Sequence, residues 1–93
     1  KNENRGNHAH KLQKQFMICL HGSCLLKFDD GFSKKEILLT KSTIGIEIAP
    51  LIWGQQKYLE NDSILAVLTD QKYDENDYIR NYIEFKKYIK NKI

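Results

Sequence analysis

Ninety-three residues with 41% hydrophobic and 11% aromatic side chains suit one small domain with a packed core and exclude a disordered chain. The formal charge is only +3. Much of it falls on lysines near the C-terminus, which marks a solvated tail and excludes a nucleic-acid footprint. No apolar run approaches the ~20 residues of a membrane span and no leader of basic, apolar and small residues is visible, so a membrane-free, cytoplasmic protein is expected.

In chain order, His8 and His10 come first. One residue separates them, so on an extended segment both project to one face. Gln15 to Leu20 is apolar and strand-length, His21-Gly22-Ser23 breaks it, and Cys24 to Phe28 resumes. That pattern predicts two strands joined by a short glycine turn. Cys19 alternates with apolar neighbours and reads as a small core hydrophobe with a free thiol, ahead of a cross-hairpin disulfide to Cys24 or a metal role. Asp29-Asp30-Gly31 predicts the next turn. Glu36 to Thr40 reads as a strand, Gly45 to Ala49 alternates in period two, and Pro50 ends that run. Ser63 to Thr69 has the composition of a buried strand.

The period then changes. Asp74-Glu75-Asn76-Asp77 sets acids in what would be a first helical turn, with Asp74 as N-cap. Tyr78, Tyr82, Phe85 and Ile89 follow as one apolar stripe, and Lys86, Lys87, Lys90 and Lys92 crowd the far end. An amphipathic helical segment over 73–92, packed on the outside of a sheet, is expected. Short strands with regular turn signals otherwise mean an all-β sandwich or barrel. About six strands are visible, fewer than the eight of a jelly roll. The whole chain, 1–93, reads as one domain.

Two imidazoles on one face serve either as metal ligands or as acid–base groups. After His10 come four residues, then Gln15, and after six more Gly22. This spacing is similar to the first cupin signature, HxH followed by a carboxylate and a glycine turn, with Gln15 in the glutamate position. The second half of that signature would fall between Gly45 and Gln56, where there is no histidine, and His21 sits at a turn. A neutral amide is also a weaker ligand for a divalent ion than a carboxylate. The expectation is therefore no metal and no other cofactor, with the pair left as acid–base groups.

The run Arg5-Gly6-Asn7-His8-Ala9-His10-Lys11, then Gln15, Cys19-Leu20-His21-Gly22-Ser23-Cys24 and Asp29-Asp30-Gly31, carries a wider likeness. Pro50 with Trp53, Tyr73-Asp74-Glu75 and Asp77-Tyr78-Ile79-Arg80-Asn81-Tyr82 extend it. Over essentially its whole length the chain resembles the cupin-fold sugar 3,4-ketoisomerases of the WxcM-like group, which act on dTDP-4-oxo-6-deoxyglucose. The resemblance implies an all-β cupin, or jelly-roll, sandwich with one C-terminal helix. It also implies an isomerase of deoxysugar and polysaccharide biosynthesis. Its substrate would be a dTDP-linked 4-oxo-6-deoxyhexose, converted to the 3-oxo isomer by histidine-mediated proton transfer through an enediol. A homodimer is implied as well. The family's domain has strands upstream of the RGxHAHK element that this sequence lacks, so a sheet missing its N-terminal strands, or completed by a partner chain, is expected. Family members often carry histidine just after the tryptophan, where this chain has Trp53-Gly54-Gln55-Gln56, a departure that bears on substrate or isomer.

Within that likeness His8 and His10 are expected to be the proton-transfer pair. Arg5 is expected to contact the diphosphate or a sugar oxyanion, because a planar guanidinium matches phosphate geometry. Gln15 would hydrogen-bond the sugar from the pocket wall. Trp53 would line the pocket or stack on the thymine, with core packing the other reading. Lys11 is either a phosphate partner or a solvated charge. Tyr78 and Tyr82 are assigned to helix packing. Three other readings stay open: a metal-free cupin epimerase on the same kind of nucleotide sugar, a non-catalytic sugar-nucleotide-binding or dimerisation module, and a zinc protein using His8, His10, Cys19 and Cys24. The last has a spacing unlike the common zinc frameworks.

Overall fold

A computed structural model describes residues 3–40 and 45–92, the side chains of Glu3 and Lys92 excepted. Eight strands are found among them: β1 (Glu3–His10), β2 (Gln15–His21), β3 (Ser23–Asp29), β4 (Lys34–Thr40), β5 (Ile46–Ile48), β6 (Trp53–Tyr58), β7 (Ile64–Thr69) and β8 (Tyr78–Ile79). One α-helix, α1 (Tyr82–Lys92), follows. The strands form two sheets, one in the order β4-β3-β6-β1-β8 and one in the order β5-β2-β7. Every pairing is antiparallel. The expected two-layer all-β architecture with a C-terminal helix is what the chain adopts. Among the described residues no helix is long and apolar enough to cross a membrane.

Alternation explains the inner layer. Met17 and Cys19 of β2, Cys24 and Leu26 of β3, Leu39 of β4 and Ile48 of β5 are buried in one cluster drawn from both sheets. Both cysteines are buried free thiols, as expected. Burial is the chief reason the Cys24 thiol is pushed up to about 11, with Cys19 beside it adding to the effect.

Three expectations change. The glycine turn at His21-Gly22-Ser23 does not close a hairpin: β2 and β3 belong to different sheets, so it is a corner that carries the chain across the core. Inward-facing Cys19 and Cys24 require this, because each buries against the opposite layer. The β7 segment is not a buried strand. Among the described residues it is an edge strand paired only with β2, and Ile64, Val67 and Leu68 are exposed. The Asp-Gly turn after β3 forms as expected, with Gly31 at φ 98°. There the Asp30 carboxylate accepts from the amides of Phe32 and Ser33, both at 2.8 Å.

The third change is at the C-terminal segment. Asp74 does cap, but it caps a single 3-10 turn over Glu75–Asp77, accepting from the Asn76 amide at 3.0 Å. The chain then runs extended as β8 beside β1, with Ala9 opposite Ile79 and His10 opposite Tyr78. The helix starts afresh behind Asn81, whose side-chain oxygen accepts from the Glu84 amide at 3.1 Å. Tyr78 is therefore no part of the helical stripe. Phe85 and Ile89 of that stripe bury against Ala9, Trp53 and Ile79 on the outer face of the larger sheet. Tyr82 lies at the rim, its ring 5.4 Å from that of Trp53.

Candidate active site

A strand keeps two histidines on one face by spacing alone, but it cannot do the same for Arg5 and His8, which are three apart. A bulge solves this. The β1–β6 register runs Arg5 to Gln56 and Gly6 to Gln55, then jumps to His8 opposite Gly54. Gly54 and Gln56 share a face, so Arg5 and His8 do too. That face is the inner one, since the Gln56 amide reaches the buried Met17 sulfur at 3.9 Å. Gly6 and Asn7 make the bulge at φ 90° and 55°, and Asn7 takes a hydrogen bond from the Gln55 amide. At Gly6 a β-carbon would come within 2.9 Å of the Gly54 carbonyl oxygen. Gly6→Ala should therefore cost about 1–3 kcal/mol. Urea unfolding reads this, and an unchanged midpoint would mean that the strand does not depend on the bulge.

On that inner face the rings of His8 and His10 meet edge to face, with centroids 4.9 Å apart. Tyr78 closes against both, at 5.1 Å and 4.4 Å. The His8 Nδ1 lies 3.0 Å from the Gly6 carbonyl oxygen, which can only accept, so Nδ1 carries the proton and Nε2 the lone pair. The His10 Nδ1 faces Asp77 Oδ2 at 3.2 Å, and the same logic leaves its Nε2 bare. That Nε2 is buried and has no hydrogen-bond partner. Burial, first of all, lowers the affinity of both rings for a proton, and the charge of Arg80 acts in the same direction. For His8 the Gly6 bond opposes this, and His10 adds to it. For His10 the bond to Asp77 and its charge oppose it. Both rings are thus kept as neutral imidazoles at pH 7, the form that accepts a proton.

Asp77 is 6% exposed and also accepts from the amides of Leu12 at 2.7 Å and Gln13 at 3.2 Å. Arg80 lies 4.2 Å over the Tyr78 ring. Glu75 grips it through two 2.9 Å bonds and also takes the Tyr73 hydroxyl. Together these pull the Glu75 carboxyl down to about 2.

Of the residues expected at the site, His8, His10 and Arg5 come together on β1, the Arg5 guanidinium 5.8 Å from the Tyr58 ring. Gln15 stands half-buried on the facing sheet, on the same side of β2 as Met17 and Cys19. Two do not join them. Trp53 is on the opposite face of the larger sheet, packed with Phe85 and Ile79, because it is one residue out of phase with Gly54. Lys11 continues the phase of Ala9 and lies 5.7 Å from the Tyr88 ring of α1, away from the histidines. Asp77, Tyr78 and Arg80 are the residues that sequence reasoning missed. Tyr78 sits at helical spacing from Tyr82, and nothing local marks Asp77 among its acidic neighbours. A local signal is the pair of cap-forming residues, Asp74 and Asn81, which leaves room for a strand between them. Among the described residues no three His, Cys, Asp or Glu side chains form a metal-holding group, and Cys19 and Cys24 lie in the inter-sheet cluster.

Comparison with known proteins bears on this arrangement. The curated TDP-4-oxo-6-deoxy-alpha-D-glucose-3,4-oxoisomerase of Aneurinibacillus thermoaerophilus is 44% identical over 87 residues, which cover 94% of this chain and 63% of that protein. The chain thus spans rather less than two thirds of that relative's length. The TDP-fucose-3,4-ketoisomerase WlaRA from Campylobacter jejuni superposes with a TM-score of 0.90 at 38% identity, covering 98% of this chain and 67% of that one. A variant of the 3,4-ketoisomerase QdtA from Thermoanaerobacterium thermosaccharolyticum, in complex with TDP-4-keto-6-deoxyglucose, superposes at 0.92 with 34% identity, over 100% and 67%. With these neighbours the two-sheet sandwich is of the cupin type expected from the sequence. Residues 1–90, histidine pair, bulge and C-terminal segment included, match the sequence profile of the WxcM-like, C-terminal family, and the chain belongs to it.

Proposed function

We propose that this chain is a dTDP-sugar 3,4-ketoisomerase. It would convert a dTDP-linked 4-oxo-6-deoxyhexose to the 3-oxo isomer in deoxysugar and polysaccharide biosynthesis. The observation that carries the reading is the pair of neutral, partly or fully buried imidazoles, His8 and His10, edge to face on the inner side of β1, each with its Nδ1 engaged and the His10 Nε2 without a hydrogen-bond partner among the described residues. An imidazole nitrogen takes the proton from C3, and the electron pair makes the C3–C4 double bond. The C4 carbonyl oxygen takes up a proton, giving an enediol. The C3 hydroxyl then gives up its proton as C3 becomes the carbonyl, and C4 receives a proton. Each carbon changes by one hydrogen, so the step needs neither oxidant nor reductant. Groups that titrate near neutrality suit both halves of such an exchange.

Arg5, on the same face, supplies positive charge for the diphosphate or for the developing enediolate, and Gln15 a hydrogen bond from the facing sheet. The reading carries with it a single domain over 1–93, a cytoplasmic place and a homodimer. The homodimer is supported by Leu20, Ile64 and Leu68, which leave an apolar stretch exposed on the outer side of the smaller sheet. The test is to incubate the protein with dTDP-4-oxo-6-deoxyglucose in D₂O and follow the sugar by NMR. A 3-oxo product with deuterium at C4 is expected. Absence of both sinks the proposal.

A further inference from the structure

We infer that Asp77 is a positioning residue of the isomerase site: it fixes His10 as the Nδ1–H tautomer and so presents Nε2 to the sugar. The inference rests on the ketoisomerase reading for its chemistry, but its geometry stands apart from it. Asp77 is 6% exposed and His10 4%. A buried carboxylate is expensive unless its lone pairs are filled. Here three donors fill them: the Leu12 amide on Oδ1, and the Gln13 amide and the His10 ring on Oδ2. Two backbone amides alone would hold the loop after β1. The imidazole is an additional partner, and it ties the carboxylate to the reacting strand.

The opposite nitrogen supplies the second observation. His10 Nε2 is buried without a hydrogen-bond partner, an arrangement that is costly in a finished core. It is explained if a substrate atom completes it. In the other tautomer the Nδ1 lone pair would face the carboxylate and Nε2 would carry the proton, so the ring could not act as a base there. The carboxylate excludes that form. It also favours the imidazolium that appears when the C3 proton arrives, so the same contact helps in both states of the cycle.

A merely structural Asp77 would hold the loop but leave the ring free to exchange tautomers, and the measurement separates the two. Long-range ¹H–¹⁵N NMR of the unaltered protein at neutral pH, with the His10 signals assigned by their loss in His10→Asn, should show Nδ1 protonated and Nε2 bare. An Nε2–H form, or an averaged pair of nitrogens, overturns the inference whether or not the protein turns out to be an isomerase. In the second arm, Asp77→Asn should lower kcat by about 10²–10⁴-fold with KM little changed. A folded Asp77→Asn protein with its kcat intact would overturn the inference equally. If that variant does not fold, the NMR of the unaltered protein still decides.

Discussion

His10→Asn, and separately His8→Asn, should each lower turnover by about 10²–10⁴-fold while leaving the affinity for TDP close to that of the unaltered protein. The substitution is chosen for what it keeps. An asparagine amide can still donate where each Nδ1–H does, to the Gly6 carbonyl or to the Asp77 carboxylate, so β1 and the loop after it stay in place. What it removes is the Nε2 lone pair, the group assigned to the C3 proton. Loss of kcat without loss of binding is the mark of a group that acts only in the transition state. Steady-state kinetics with a binding isotherm for TDP checks it. Undiminished rates in both variants would show the pair to be structural.

Phe85→Ala should destabilise the fold by about 3–5 kcal/mol. Phe85 is wholly buried and its ring lies 5.8 Å from that of Trp53 and 6.0 Å from that of Tyr82. It is the largest fully buried side chain of the outer cluster and joins α1 to the sheet, so truncation leaves a cavity with little to collapse into it. Because Ala9, between the two histidines, is part of that cluster, the loss also loosens the strand on which the pair sits. Urea unfolding followed by the fluorescence of Trp53, the chain's single tryptophan, reads the change directly. Ile83→Ala, one turn-face away and exposed, should stay within about 0.5 kcal/mol. Equal effects from the two would mean that the helix does not dock through Phe85.

Much of the layered fold was legible because alternation and turn chemistry are local. The Asp-Gly turn, the inward cysteines and the spacing of His8 and His10 all follow from neighbours a few residues away. Strand β6 escaped because Gly54, Gln55, Gln56 and Lys57 carry no apolar signal, although it lies between β3 and β1 in the larger sheet. Its hydrogen-bonding neighbours, rather than its composition, make it a strand. At Gly22 the sequence pattern fits a hairpin as well as a corner, because the same glycine serves either purpose, and only the partners of β2 and β3 decide. The C-terminal segment departs from its helical pattern for a related reason. Tyr78 and Tyr82 fit a helical stripe, whereas the buried carboxylate of Asp77 is held by amides some 64 and 65 residues earlier in the chain. No window on the sequence contains both ends of such a contact.

That separation also orders events in time. The three bonds that Asp77 accepts span 64 to 67 residues, so each closes a loop of most of the chain, and long-range closures are the slow ones in folding. On a nascent polypeptide His8 and His10 emerge well before Asp77, yet His10 has no fixed partner until the segment through Asp77 has been made and has docked. The arrangement of the pair is therefore completed only after Asp77 has been made, and a chain cut short before Asp77 would carry both histidines without the contact that sets one of them.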